Sequence, residues 1–240
     1  MLITADGGLR GGKVIAYKPL VDEALSLAGA AAPKKVILVN RGVAEAPMMK
    51  PGRDLDYGAL REQHLNDRAD VEWVESGHPS YILYTSGTTG KPKGTLHFQR
   101  DLLAMCDLFP PQLLNMNEDD VVCGTPPIAF TFGLGGLLAF PLRFGACSVL
   151  LEKHSPETLL ATIERHRATQ CYTAPTMYRQ MAPLASRYDL SSLRHPVSAG
   201  EALPDATRQL WQDATGIVMT DGIGGTEVIH IYIASAGASV

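Results

Sequence analysis

A chain of 240 residues, 45% hydrophobic and 19% charged, can bury one large core or two small ones and lies outside the disordered range. Its formal net charge of -4 gives no general attraction to nucleic acid, so affinity for anions has to be local and no nucleic-acid partner is expected. The amino terminus, MLITADGGLRGGK, has no basic region followed by an apolar stretch, and glycines and Pro141 break the apolar run at 128–142, so neither a signal peptide nor a membrane span is expected.

In chain order, Leu2-Ile3-Thr4 reads as a strand already under way, residues 19–30 as a helix and KKVILVN (34–40) as a strand. The polar stretch 41–58, rich in Pro, Gly and charge, is the one plausible break. Strands are then predicted at YILYT (81–85), DVVCG (120–124), ACSVLL (146–151), QCYTA (170–174), HPVSAG (195–200) and IVMTDG (217–222). Helices are predicted between them at 98–109, 156–168, 175–182 and 204–214, with Ser155-Pro156 and Leu203-Pro204 as opening signals. The alternation predicts an α/β fold with much parallel sheet. The sequence stops soon after the strand-like VIHIYIAS, and both ends read as those of a partial chain. Cys106, Cys123, Cys147 and Cys171 stand singly, without metal-ligand spacing, and read as buried thiols of a reducing, cytoplasmic compartment.

The chemistry concentrates in YILYTSGTTGKPKGTLHF (81–98): an apolar strand, then glycines and hydroxyls, then two lysines around Pro92. Glycines let successive N–H groups converge, hydroxyls add donors, and Lys91 and Lys93 add charge, which together suit a polyphosphate. The alternative is a mobile surface loop; the preceding strand and the stiffening by Pro92 favour the anion cradle. A Walker loop is excluded, because Pro92 and Thr95 stand where its second glycine belongs, and Gly133-Leu134-Gly135 lacks the third glycine of a dinucleotide fingerprint.

YTSGTTGKPKG resembles the signature of the adenylate-forming superfamily, which includes acyl-CoA synthetases, aryl-CoA ligases, luciferases and the adenylation domains of peptide synthetases. AFTFGLGGLLAFPL (129–142), VSAGEALP (197–204) and DGIGGTE (221–227) resemble its further motifs in the family's order. The resemblance covers essentially the whole chain but only the middle of the family's length. It implies the fold of the large N-terminal adenylation domain over 1–240, without the small C-terminal domain. It also implies ATP, Mg²⁺ and coenzyme A as cofactors, a small carboxylic acid as substrate, and no membrane partner.

Carried over by position, Thr85, Ser86, Gly87, Thr88, Thr89, Gly90, Lys91, Lys93 and Gly94 would wrap the β- and γ-phosphates. Gly200, Glu201 and Ala202 would face adenine through their backbone, with Asp221 near its amino group and Ile223 against its face. Thr226 would contact the α-phosphate and Glu227 would hold Mg²⁺; taken alone, Glu227 reads as an ordinary exposed acid. His78, His97, His154, His166 and His195 read as surface or packing residues, and Ser198 lacks the setting of a nucleophile.

Within the superfamily, DGIGGTEVIHIYIAS looks most like benzoate and 2-aminobenzoate CoA ligases, which implies an acyl pocket of Thr131, Phe132, Ala199, Gly224 and Ile231. The acetate and propionate branch carries a tryptophan at the position of Gly224, so glycine reads as room for a ring, or else as a tight turn before Thr226. The family's ribose-binding Asp and catalytic lysine would lie beyond Val240, so the chain by itself is expected to be inactive. The alternatives are a short-chain acyl-CoA synthetase and a non-catalytic nucleotide-binding module.

Overall fold

The computed structural model describes residues 1–10, 12–45, 47–85 and 90–236. The chain divides into two compact units, Met1–Glu72 and Trp73–Val240.

In the first unit, β1 (Leu2–Ala5) is followed by the hairpin β2 (Gly7–Arg10) and β3 (Lys13–Ala16), then by α1 (Tyr17–Ala28), β4 (Val36–Val39), β5 (Asp54–Asp56) and α2 (Tyr57–Gln63). Strands β1, β4 and β5 form a parallel sheet in that order. The polar stretch 41–58 is therefore no domain break, because β5 lies within it. Short and polar, that strand is held by ion pairs: buried Lys18 sits 2.8 Å from Asp54 and 2.9 Å from Asp22, and Arg53 bridges the same two acids. The Arg53 guanidinium, together with Lys18, holds the Asp54 carboxyl well below the usual carboxylate range.

The second unit opens with the antiparallel hairpin β6 (Pro79–Thr85) and β7 (Lys93–Phe98), in which Tyr81 stands opposite His97 and Thr85 opposite Lys93. Then follow α3 (Gln99–Phe109), β8 (Val121–Gly124), α4 (Thr131–Leu134), α5 (Phe140–Phe144), β9 (Cys147–Leu150), α6 (Pro156–His166), β10 (Gln170–Thr173) and α7 (Pro175–Met181). The unit continues through β11 (His195–Ser198), α8 (Asp205–Thr215), β12 (Thr220–Gly224) and β13 (Ile231–Ala236). Six strands pair in the order β13-β12-β11-β10-β8-β9; all are parallel except the edge pair β12–β13.

This sheet is covered on both faces, as a largely parallel sheet requires. Cys123 and Cys171 face a core built with Leu159, Ile163, Tyr178 and Trp211 from α6, α7 and α8. Their neighbours Val122 and Tyr172 face a second core with Met105 and Phe109 of α3 and with Leu137 and Phe140. Buried thiols are seen at Cys106, Cys123 and Cys171, but Cys147 is exposed because β9 is an edge strand. The predicted strand at 217–222 begins later, at Thr220, since Ile217 packs sideways onto the first core and not into the sheet. Helix α6 starts as expected: the Ser155 hydroxyl accepts the Thr158 amide, and the Thr158 hydroxyl accepts the Ser155 amide.

The glycine-broken run at 128–142 is helical, passing from α4 through a π-helical turn (Gly135–Ala139) into α5. Its glycines answer to close packing: a Cβ on Gly136 would stand 2.6 Å from the Tyr172 ring. Tyr172 is itself fully buried, so Gly136→Ala is expected to destabilise the second unit by about 1–3 kcal/mol. Urea denaturation checks this, and an unchanged midpoint would contradict it.

Candidate active site

The chain runs from β8 to β9 on one side and returns to β10 on the other side of β8, so strand order reverses there. In open α/β sheets such a switch point opens a crevice at the carboxyl ends of the strands. A cavity of about 470 Å³ lies at those ends. Its walls come from Thr125, Pro126 and Pro127 after β8, Ala174 after β10, Ala199 to Glu201 after β11, and Gly224 to Thr226 at the end of β12. Phe130, Thr131 and Phe132 beside α4, with His230 and Ile231 beside β13, close it.

All five residues expected to contact an acid, Thr131, Phe132, Ala199, Gly224 and Ile231, therefore line one cavity, together with Gly200, Glu201 and Thr226. Gly200 has φ +87, the left-handed region, and reverses the chain after β11. The turn is then fastened by the Glu201 carboxylate, which accepts a hydrogen bond from the Thr176 hydroxyl at the start of α7. Gly224 sits at an irregularity in the β12–β13 pairing, and a Cβ there would stand 2.9 Å from the His230 carbonyl oxygen. A side chain here would therefore have to displace the backbone that enters β13, whatever the cavity holds.

Other predicted residues lie apart from this cavity. Asp221 faces Arg208 at 3.8 Å, with its Oδ1 buried and without a hydrogen bond, and Ile223 is exposed near the end of β12. Ala202 is exposed beyond the Gly200 turn. Lys91, Lys93, Gly90 and Gly94 are exposed, with Lys93 and Gly94 at the start of β7. Thr85 ends β6 opposite Lys93. Ser86, Gly87, Thr88 and Thr89 lie outside the described residues.

Glu227 lines a second cavity, of about 530 Å³, with His97, Asp101, Phe109 and Tyr232. The 3₁₀ turn Thr226–Val228 is thus a partition: Thr226 faces one cavity and Glu227 the other, while Ile231 borders both. Among the described residues, no group of three or more His, Cys, Asp or Glu could cage a metal. Glu227 is a single hard oxygen donor, which fits an ion such as Mg²⁺ that takes one or two carboxylates and fills its shell with phosphate and water oxygens.

Of the five histidines read as surface or packing, His78, His154 and His166 are exposed, His195 is half-buried and His97 is buried. The residue missed is His230. It is 2% exposed, ringed by Phe109, Phe132 and Phe140 at 5.2, 5.9 and 4.6 Å between centroids, and neither ring nitrogen has a hydrogen bond. Burial pushes its pKa down to about 4, so the ring is neutral at pH 7. The signal was present in VIHIYIAS, where it is the one imidazole in an otherwise largely apolar run.

Residues 10–239 match the family described as AMP-binding enzyme. Benzoate–CoA ligase of Thauera aromatica is 38% identical over 163 residues, covering 67% of this chain and 31% of that protein. Propionate–CoA ligase of Salmonella typhimurium strain LT2 is 34% identical over 238 residues, covering 95% of this chain and 37% of that protein. Among solved structures, the anthranilate CoA ligase AuaEII in complex with anthranoyl-AMP superposes with a TM-score of 0.77 at 32% identity. That match covers 93% of this chain and 42% of the ligase. The chain thus spans about a third of the length of these curated relatives.

The state of His230 sets a pH dependence. With its pKa lowered from 6.5 to about 4 in the fold, the unfolded chain binds the extra proton between those values. Stability from this group is therefore complete above pH 6.5 and falls as pH drops toward 4, by up to about 3 kcal/mol. Urea titrations of wild type and His230→Phe at pH 7 and pH 4.5 should show a smaller pH-dependent loss in the variant; equal losses would contradict the assignment.

Proposed function

Because this chain belongs to the AMP-binding enzyme family, we propose that a protein carrying it is an ATP-dependent acid–CoA ligase acting on an aromatic carboxylic acid. The observation that carries the reading is the single cavity at the strand ends, in which the expected acid-contacting residues meet the Gly200–Glu201 turn and Thr226. Its volume falls in the range of small-molecule sites, and its walls are apolar and partly aromatic around few polar groups.

In the proposed reaction a carboxylate oxygen of the acid attacks the α-phosphorus of ATP, the bond to the bridging oxygen breaks, and pyrophosphate leaves with the electron pair. The thiol sulfur of coenzyme A then attacks the acyl carbon and AMP departs. An anion meeting a polyanion requires positioning and neutralisation more than covalent help. Lys91 and Lys93 would draw off charge on the leaving pyrophosphate, with Thr85 and residues 86–90 and Gly94 around it. The backbone at Gly200, Glu201 and Ala202 would face adenine, with Asp221 at its amino group and Ile223 against its face. Thr226 would donate to the α-phosphate. Glu227 would hold Mg²⁺, which when bound neutralises phosphate charge. Phe132 and Ile231 would flank the acid, with Thr131, Ala199 and Gly224 completing the wall. Neutral His230 offers one donor and one acceptor to a polar substituent of the acid.

A short-chain acid is the second reading, favoured by the longer match to a propionate ligase. Pyrophosphate–ATP exchange separates the two. Exchange with benzoate or 2-aminobenzoate is expected to exceed that with propionate by about tenfold or more, the scale on which apolar pockets discriminate. The reverse order would overturn the aromatic reading. Lys91→Ala with Lys93→Ala is expected to weaken MgATP binding by at least about tenfold in calorimetry. Unchanged affinity would remove the phosphate role of the loop, and unchanged affinity without exchange for any acid would leave only a nucleotide-binding module.

A further inference from the structure

The turn bearing Thr226 and Glu227 is weakly held by its own backbone. The bonds that close it, Val228 N to Gly225 O, Ile229 N to Thr226 O and Gly225 N to His230 O, are each 3.3 Å long, and a shorter one, 2.8 Å from His230 N to Val228 O, ties only its last residue to the start of β13. Ile229, which ends the turn, has φ +63, a left-handed conformation that a β-branched side chain adopts only under constraint. A firm bond reaches the turn from far along the chain: His97 Nε2 lies 2.8 Å from the Thr226 carbonyl oxygen, 129 residues away. A carbonyl only accepts, so Nε2 carries the hydrogen.

His97 is suited to act as a fixed post. It is 3% exposed, stands on β7 opposite Tyr81 with the two rings 5.2 Å apart, and its Nδ1 is 3.6 Å from Asp101 Oδ2. Asp101 is itself held at the start of α3, accepting the Phe98 amide at 2.9 Å. His97 and Glu227 border the same cavity. The same strand begins at Lys93, so one short element ties the lysine end of the hairpin to the Thr-Glu turn.

We propose that His97 is a positioning residue: by fixing the Thr226 carbonyl it sets the Thr226 hydroxyl and the Glu227 carboxylate in register with the lysine-bearing hairpin. The inference rests on the reading that these two residues face nucleotide phosphate and its metal ion. It concerns geometry, so it predicts which replacements succeed. Glutamine places an amide N–H where Nε2 stands, asparagine reaches only the Nδ1 position, and leucine keeps bulk without a donor.

The test uses a protein carrying the chain, in wild-type form and as His97→Gln, His97→Asn, His97→Leu and Glu227→Gln. Hydrogen exchange of the amides at 225–229 and calorimetric affinities for MgATP are measured for each. His97→Asn and His97→Leu are expected to speed exchange at 225–229 by about tenfold, with β10 and β11 unchanged, and to weaken MgATP binding to a similar degree. His97→Gln is expected to retain most of both properties. Unchanged exchange in Asn and Leu, or a Gln variant as loose as Asn, overturns the proposal; should Leu fail to fold, the Gln and Asn pair decides. If Glu227→Gln leaves MgATP affinity untouched while Asn still loosens the turn, His97 remains the anchor of the turn and the phosphate-facing reading is what fails.

Discussion

Parallel pairing of β8, β10, β11 and β12 is the constraint on which the site depends. Parallel strands deliver their carboxyl ends to one rim, and burial of both faces leaves that rim as the place where polar groups can collect. Thr125 and Thr173 already pair through their hydroxyls at the ends of β8 and β10. The turns after β11 and β12 then carry Glu201 and Thr226 to the same opening. None of these residues is close to another in sequence, and the register of the sheet is what assembles them.

The edge strand gives the rim its second function. Because β13 runs antiparallel to β12, the chain reverses within Gly225–His230, through the 3₁₀ turn Thr226–Val228 and Ile229. Ile229 is left-handed in this reversal, at a cost on the order of 1–3 kcal/mol. Burial of Ile229 and Ile231 in the second core offsets it. The same reversal turns Thr226 and Glu227 toward different cavities, so a steric demand of sheet topology separates two side chains adjacent in sequence.

Much of this was legible in the sequence, and the exceptions share a cause. Strands made of consecutive apolar residues, such as Val36–Val39 and the start of Val121–Gly124, announce themselves. Strands that depend on a partner do not. Lys93–Phe98 reads as the tail of a polar loop until Tyr81–Thr85 pairs with it, and Asp54–Asp56 offers one apolar residue, Leu55, between acids, the first of which is held by ion pairs to Lys18 and Arg53. The run 131–144 hid its helical character behind glycines that serve Tyr172 and His230 and do not break the helix. At the candidate site, the residues expected to contact an acid share one cavity, whereas His230 could not be singled out, since its burial comes from three phenylalanines scattered along the chain.

Gly224 shows why selectivity cannot be assigned to one position. The sequence allows two readings of it, room for a ring or a tight turn, and the structure supplies a third: the β13 backbone passes where a Cβ would stand. A side chain at 224 therefore requires more than free volume in the cavity. The β12–β13 pairing must yield by several tenths of an ångström at its irregular step, and that step is continuous with the strained reversal at 225–230. Any bulky residue that narrowed the cavity here would also move Thr226, coupling the size of the acid to the placement of the group proposed to meet the α-phosphate. On the proposed reading, a change of acid at this rim would also be a change in how β13 returns to the sheet, with Ile231, which borders both cavities from that strand, moving with it.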